Sequence, residues 1–253
     1  MHTDSRPQAH RGKKMHSHID VSNRKPQPPI RLADFPLLEK LSAGLLRHIE
    51  LHSTLIKGKQ RKLLFLRGDP EDFIGMVLQG SVYHTLQEPD GHEVIIDYSC
   101  PGEWVGESAL LHPGLRNCTA QLSRDCLLLM LHRQYFRDLQ NDPLLMSRIQ
   151  QQLCRRLQRI SSFVETVCLY RLEARLARHL LTEIDQHGHP DPDGPTLPLT
   201  INQSILAAML NASRPRLNAQ LKQWQRAGLI QLTRHALKVC DPARLRQIAQ
   251  HSN

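Results

Sequence analysis

At Asp142-Pro143 the hydrophobic period of this chain switches from short strands to a long helix, and that change limits the folds open to it. Upstream, short apolar runs alternate with turn residues. Leu63-Leu64-Phe65-Leu66 meets Arg67-Gly68-Asp69-Pro70, Phe73 to Leu78 ends at Gln79-Gly80, and Val82 to Leu86 leads to Pro89-Asp90-Gly91. Glu93 to Tyr98 stops at Pro101-Gly102, and Gly106-Glu107-Ser108 and then Cys118 to Leu131 continue the texture. Short strands between closely spaced glycine turns predict an antiparallel barrel or sandwich. Downstream, Leu145, Ile149, Leu153, Leu157, Ile160, Val164 and Val167 step by four and three. That stripe predicts a long amphipathic helix with a coiled-coil-like seam. Two readings of it stand side by side: a helix packed on its own barrel, or the seam of a parallel homodimer. Before the strands, Leu37, Leu38, Leu41, Leu45, Leu46 and Ile49 recur at three and four, so one or two short helices are expected over 31–52.

After the stripe, Leu169 to Ile184 has a helical pattern, and His187 to Pro198 is rich in Pro, Gly and Asp and reads as a loop. Leu199 to Leu237 then reads as two short helices, a tight turn and a small hairpin. Asn202 or Thr200 can cap the first helix, with Ile205, Leu206 and Met209 facing a core. Asn211-Ala212 makes the turn. Ser213 is a natural N-cap for the second helix, and Pro215 is tolerated in a first turn whose amides need no partner. Leu217, Leu221 and Trp224 form its buried stripe, and Gly228 ends it as a left-handed C-cap. Ile230–Leu232 and Leu237–Val239 flank the turn of a wing.

Charge falls on this unit. Residues 1–30 carry six Lys/Arg against two Asp/Glu, residues 31–170 carry sixteen of each, and residues 171–253 carry eleven against six, giving the net +9. Between Thr200 and Cys240 stand Arg214, Arg216, Lys222, Arg226, Arg234 and Lys238, with no acid. A compact helical unit of one sign of charge is the footprint of a nucleic-acid reader. The first residues of a recognition helix meet base edges, here Arg214, Arg216 and Asn218, with Gln220 and Lys222 further along. A phosphate-only role is the alternative for Arg216 and Lys222. The remaining composition excludes more than it assigns. Residues 1–30 are polar and without apolar period, a disordered basic tail. The six cysteines show no zinc or iron–sulfur spacing, so no metal site is expected, and they read as mostly buried small hydrophobes. Neither a signal-peptide h-region nor a membrane span is visible, so a cytoplasmic location is expected.

The order of barrel, long helix and winged helix-turn-helix resembles the Crp/Fnr family of bacterial transcription regulators over roughly residues 31–250. The resemblance is carried by IGMVLQGSVYHTLQEPDGHEVIIDYSCPGEWVGESALL, by DPLLMSRIQQQLCRRLQRIS and by ASRPRLNAQLKQWQRAGLI. It implies an α+β chain: a tail over 1–30, a cyclic-nucleotide-binding-like sensor β-roll over 31–142, a dimerisation helix over 143–168 and a winged helix-turn-helix over 169–253. It implies that Leu145, Ile149, Leu153, Leu157, Ile160 and Val164 form the dimer seam, with a hinge near Thr166–Arg171. Double-stranded DNA, a second copy of the chain and RNA polymerase are the implied partners, with no membrane and no enzymatic activity. Ser213 would start the reading helix, and Arg214 is the implied base reader. Pro215 stands where many members have Glu, and Ala219 replaces a further polar contact, so a different half-site is implied.

For the sensor, the resemblance assigns Glu107, between Gly106 and Ser108, to a ribose hydroxyl. An Arg followed by Ser or Thr would hold a cyclic phosphate. Thr119 matches the second half of that clamp, but Cys118 stands at the arginine position, and Arg116 lies two residues earlier. Ile160-Ser161 replaces a Thr-Ser pair that meets adenine. A cyclic nucleotide, another small effector and no ligand therefore all stay open. Haem is a further alternative, with His84, His92 and His112 in the sensor region, each otherwise a lone surface histidine. A regulatory subunit acting on an enzyme and a ligand-free dimeric scaffold are the rival functions.

Overall fold

The computed structural model describes residues 31–87, 91–112, 114–187, 194–198, 202–233 and 236–250. The basic tail, Pro89-Asp90, Thr200 and Arg234 lie outside the described residues.

A 3₁₀ turn at Leu32–Asp34 precedes α1 (Ala43–His52), whose N-cap Ser42 accepts from the Leu45 amide at 3.1 Å. Eight strands are arranged along the next eighty residues: β1 (Ser53–Gly58), β2 (Lys62–Phe65), β3 (Phe73–Gln79), β4 (Val82–Gln87), β5 (Glu93–Ser99), β6 (Trp104–Val105), β7 (Thr119–Leu122) and β8 (Cys126–His132). Two four-stranded antiparallel sheets result, in the orders β1-β8-β3-β6 and β2-β7-β4-β5. This is the expected β-roll with two departures. β1 is not expected from its sequence, because Ser-Thr-Leu-Ile-Lys-Gly has little apolar content; its pairing with β8, from Ser53 opposite Leu131 to Gly58 opposite Cys126, makes it a strand. The stretch from Gly106 to Ser108 is not strand; it leads into a short helix, α2 (Ser108–Leu111).

The second sheet has an irregularity that governs the interior of the roll. His84 pairs with Asp97 and Thr85 with Ile95, so Ile96 is an extra residue on β5. A bulge of this kind sets two residues of one strand against one of the other. It leaves Asp97 buried at 5% exposure on the inner side, while Ile95 packs outward.

After α3 (Phe136–Gln140), the longest element begins where the period changes. The Asp142 side chain accepts from the Leu145 amide at 2.8 Å, and Pro143 occupies the first turn of α4 (Pro143–Leu169). The apolar stripe on α4 divides: its first residues pack on the roll, against the expectation that Leu145 and Ile149 belong to a dimer seam, and later ones are exposed. Leu145 and Ile149 are fully buried against Leu38, Trp104 and Leu131, with Leu153 half-buried beside them. Leu157 is 66% exposed and Val164 51%, and Ile160 turns toward the roll.

The chain turns at Tyr170, which has extended backbone, and enters α5 (Leu172–His187). Beyond it come β9 (Thr196–Pro198), α6 (Gln203–Met209), α7 (Arg214–Arg226), β10 (Ile230–Leu232), β11 (Ala236–Val239) and α8 (Pro242–Gln250). β9 lies in the segment read as loop and becomes the third strand of the wing sheet by pairing with β11. Leu176, Leu206, Leu217, Leu221, Trp224, Leu237 and Leu245 form this unit's core.

Of the three α6 residues expected in that core, only Leu206 enters it. Ile205 and Met209 pack with Ala208 on the outer face of the roll, against Tyr83 and Ile95. His92 Nε2 reaches Asn211 Oδ1 at 3.1 Å in the same contact. The cysteines also differ from expectation: only Cys118 and Cys126 are buried, with Cys154, Cys168 and Cys240 exposed, and none of the six is in a disulfide among the described residues.

Candidate effector cavity and nucleic-acid interface

Where α4 crosses the roll, a cavity of about 100 Å³ is bounded by Gly106, Glu107, Ser108, Arg116, Cys118 and Ile160. These are six of the eight effector candidates. Thr119 lies beside it, buried, with Oγ1 accepting from the Arg67 amide at 3.1 Å. Ser161 is exposed and takes no part in the wall.

A polar stripe that neither the apolar period nor the family resemblance singles out borders this region. Gln152, Arg156 and Arg159 stand four and three apart on one face of α4; Arg156 lines the cavity, and the other two bond residues beside it. Arg156 Nε donates to Asp97 Oδ2 at 2.9 Å, and its Nη1 lies 2.7 Å from Glu107 Oε1. Its Nη2 donates to Ser99 Oγ at 2.6 Å and to His84 Nε2 at 3.3 Å. Arg159 grips the other side of Asp97, with Nε to Oδ1 at 2.7 Å, and reaches Glu103 at 3.2 Å. Gln152 donates to Glu107 Oε1 at 2.9 Å and pairs with both backbone groups of Trp104 at 2.8 Å. Asp97 and Glu107 are almost wholly covered, so each needs these donors; a buried carboxylate stripped of its partner costs about 3–5 kcal/mol.

Arg116 is held differently. Its guanidinium lies over the rings of Phe65 and Phe73, 4.3 and 4.7 Å from their centroids, and donates to the carbonyls of Phe73 and Gly106. Gly106 has φ +72°, and a Cβ there would collide with Arg116 Nη1, so only glycine admits the arginine. With Cys118 at the family's arginine position, the cation in this wall is Arg116, the residue two positions earlier.

His84 is buried rather than a surface residue. Since Arg156 and the Ser99 hydroxyl both approach its Nε2, the proton sits on Nδ1, which faces Cys118 Sγ at 3.7 Å. Burial, and then the charges of Arg156 and Arg159, hold its pKa well below 6.5. Burial pushes Glu107 up, with Arg156 and Gln152 pulling back, and pushes the Cys118 thiol up to about 11, far from a reactive thiolate. His84, His92 and His112 are not gathered: His84 is in the cavity, His92 is at Asn211, and His112 is exposed.

In the reading head, Asn202 caps α6, and Ser213 Oγ accepts from the Arg216 amide at 3.4 Å to start α7. Asn211, at φ +46°, makes the turn between them. Arg214, Arg216 and Lys222 are exposed, and Asn218 is half-buried. Gln220 is not on the reading face. It lies one turn from both Leu217 and Trp224, in the buried stripe, and its amide bonds Glu173 Oε1 at 3.3 Å and Trp224 Nε1 at 2.9 Å. Gly228, at φ +68°, ends the helix as expected.

Residues 56–142 match the family described as Cyclic nucleotide-binding domain, and residues 174–248 match the Crp-like helix-turn-helix domain. Together these place both halves of the molecule. The chain belongs to the Crp/Fnr family. It is 23% identical over 188 residues to a CRP-like cAMP-activated global transcriptional regulator of Mycobacterium tuberculosis, covering 74% of this chain and 84% of that one. It is 26% identical over 198 residues to the cAMP-activated global transcriptional regulator CRP of Pasteurella multocida, covering 77% and 92%. Among solved structures, the c-di-GMP responsive global regulator CLP of Xanthomonas campestris superposes with a TM-score of 0.69 at 23% identity, covering 79% of this chain and all of that one. A CooA mutant of Carboxydothermus hydrogenoformans gives 0.68 at 18% identity, covering 87% and 99%. These likenesses show a shared Crp/Fnr fold. Among the described residues, no helix is long and apolar enough to cross a membrane.

The His84 site gives this Crp/Fnr sensor a pH dependence of known sign. Because its folded pKa lies below 6.5, the unfolded chain binds the extra proton between the two values. Stability from this group is therefore full above 6.5 and falls as pH drops toward the folded value. The melting temperature of the wild type is expected to fall from about pH 7 to about pH 5, with His84→Gln removing part of that slope, measured by circular dichroism.

Proposed function

We propose that this chain is a homodimeric, sequence-specific DNA-binding transcription regulator whose reading heads are set by the junction of sensor and long helix. The observation that carries the reading is α7 itself: a Ser213-capped helix that presents Arg214 and Arg216 in its first turn, on a segment without an acid from Thr200 to Cys240. Arginine matches the O6/N7 edge of guanine with two donors, and each such pair gives about 1–3 kcal/mol of discrimination. Arg214 is the base reader in this reading; Lys222 and Asn218 contribute contacts further along the groove. Pro215 and Ala219 offer no polar group to a base edge, which leaves the direct readout in the first turn to Arg214.

The exposed half of the α4 stripe supports the dimer. Leu157, Val164 and Leu169 are each half or more exposed on one helix, an apolar surface suited to a second copy of the same helix. Two-fold symmetry would set two α7 helices in successive major grooves, about 34 Å apart. Contact with RNA polymerase completes the reading as a regulator.

The relatives' names cite cAMP, and one structural neighbour's cites c-di-GMP. In this chain the cavity is about 100 Å³, against the roughly 300–1,000 Å³ of ordinary ligand pockets, because the Arg156 side chain crosses it. An effector entering there displaces Arg156 from Asp97 and Glu107, so it must replace those ion pairs. cAMP has no cation to offer the two carboxylates, and DNA binding independent of cAMP follows.

Selection of genomic fragments by the purified protein, followed by gel shift, tests the reading. Wild type is expected to form a sequence-selective, salt-sensitive complex, and Arg214→Ala to lose selectivity by about 1–3 kcal/mol at one base pair of each half-site. Equal weakening on all sequences would make Arg214 a phosphate contact only. Size-exclusion chromatography with light scattering is expected to show a dimer that Leu157→Asp converts to monomer.

A further inference from the structure

At the turn between α4 and α5, an open groove of about 700 Å³ separates the start of α5 from the outer face of α7. Arg171, Arg175 and Arg216 all stand in its wall. Arg171 and Arg216 are exposed, whereas Arg175 is 9% exposed, and its Nε is covered without a hydrogen-bond partner among the described residues. Burial, and then the charge of Arg216, lower the pKa of Arg175, so the two guanidinium groups repel across the groove. One acid borders the groove, Glu173, and its Oε1 is engaged by Gln220 at 3.3 Å. No ion pair joins Glu173 to these arginines among the described residues.

A largely buried arginine with an unpartnered donor, in the wall of an open groove beside two further cations, is an arrangement that an anion completes. We propose that this groove is a phosphate clamp in which Arg171, Arg175 and Arg216 hold one DNA backbone phosphate flanking the half-site. The clamp rests on the DNA-binding reading given above. The choice of a backbone phosphate over a free one follows from place: the groove is open, and Arg216 lies two residues from Arg214 on the exposed first turn of α7. A strand whose bases meet Arg214 runs its phosphates past Arg216. The clamp also has a consequence for regulation. Arg171 belongs to the α4–α5 junction and Arg216 to the reading helix, so one phosphate would bind both and make DNA affinity depend on how that junction is set.

The test uses the full-length protein and a duplex that the wild type selects from a random pool, with single methylphosphonates replacing individual phosphates. In the wild type, neutralising one flanking phosphate per half-site is expected to weaken binding. In Arg171→Ala/Arg216→Ala, that same methylphosphonate is expected to have no further effect, and the salt slope is expected to fall by about 0.9 per phosphate lost. Arg175→Met should behave alike; if it fails to fold, the double variant at the two exposed arginines carries the test alone. Wild-type insensitivity at every flanking phosphate, or unchanged sensitivity in the double variant, overturns the clamp while leaving the regulator reading intact. If the variants lose only a thermal stabilisation by inorganic phosphate and keep the wild-type methylphosphonate pattern, the groove holds a free phosphate and the DNA assignment is overturned. Failure of the wild type to select any duplex would instead contradict the regulator reading.

Discussion

The guanidinium of Arg156 is the centre of the polar contact between the long helix and the roll. Asp97 and Glu107 are carboxylates with almost no exposure, and Arg156 is the one side chain that meets both. The local architecture follows from satisfying this one group. The bulge at Ile96 brings Asp97 inward, Gly106 yields space to Arg116, and Ser99 and His84 accept the remaining donors of Arg156. A charge buried so thoroughly rewards one geometry and penalises every neighbouring one. The angle between α4 and the roll is therefore held more sharply than apolar packing alone would hold it.

The helix divides its surface among three tasks. Leu145 and Ile149 fill the roll's own core, Gln152, Arg156 and Arg159 meet its polar interior, and Leu157, Val164 and Leu169 are exposed, the surface proposed for a second copy. Beyond Leu169 the chain turns once, and the reading head hangs from that turn. A second link joins head and sensor, since α6 packs on Tyr83 and Ile95. Ile95 is adjacent to the bulge that positions Asp97, so β5 touches the ion cluster on one side and the reading head on the other. Any displacement of Arg156 would act on a strand that already bears on α6, which is the contact through which the proposed regulation would pass.

Much of this is legible in the sequence where the deciding interactions are local. Asp142-Pro143 and Ser213 are caps that act within three residues, Gly228 is a backbone requirement at one position, and the apolar period of α4 is a property of a single helix. Interactions between distant segments are not legible. Arg156 and Asp97 are far apart in the chain, and the bulge that turns Asp97 inward leaves no mark in an alternating pattern. A signal does exist in Gln152, Arg156 and Arg159, a polar stripe at the same four-and-three spacing as the apolar one beside it. Gln220 misleads because its polarity suggests a base contact, although its position one turn from Leu217 and Trp224 already places it inside. Ile205 and Met209 leave the head's core because the roll offers them a second apolar surface, which no periodicity within α6 reveals.

The most direct test is the affinity of nucleotide-free, full-length protein for its selected duplex, measured with and without saturating cAMP. With Arg156 filling the sensor, binding is expected to be tight and selective without nucleotide. Its change on adding cAMP should fall short of the roughly fivefold or greater effect of an allosteric ligand. Selective binding that appears only with cAMP would contradict the account, because the Arg156 cluster would then be a gate that cAMP opens rather than a closed joint.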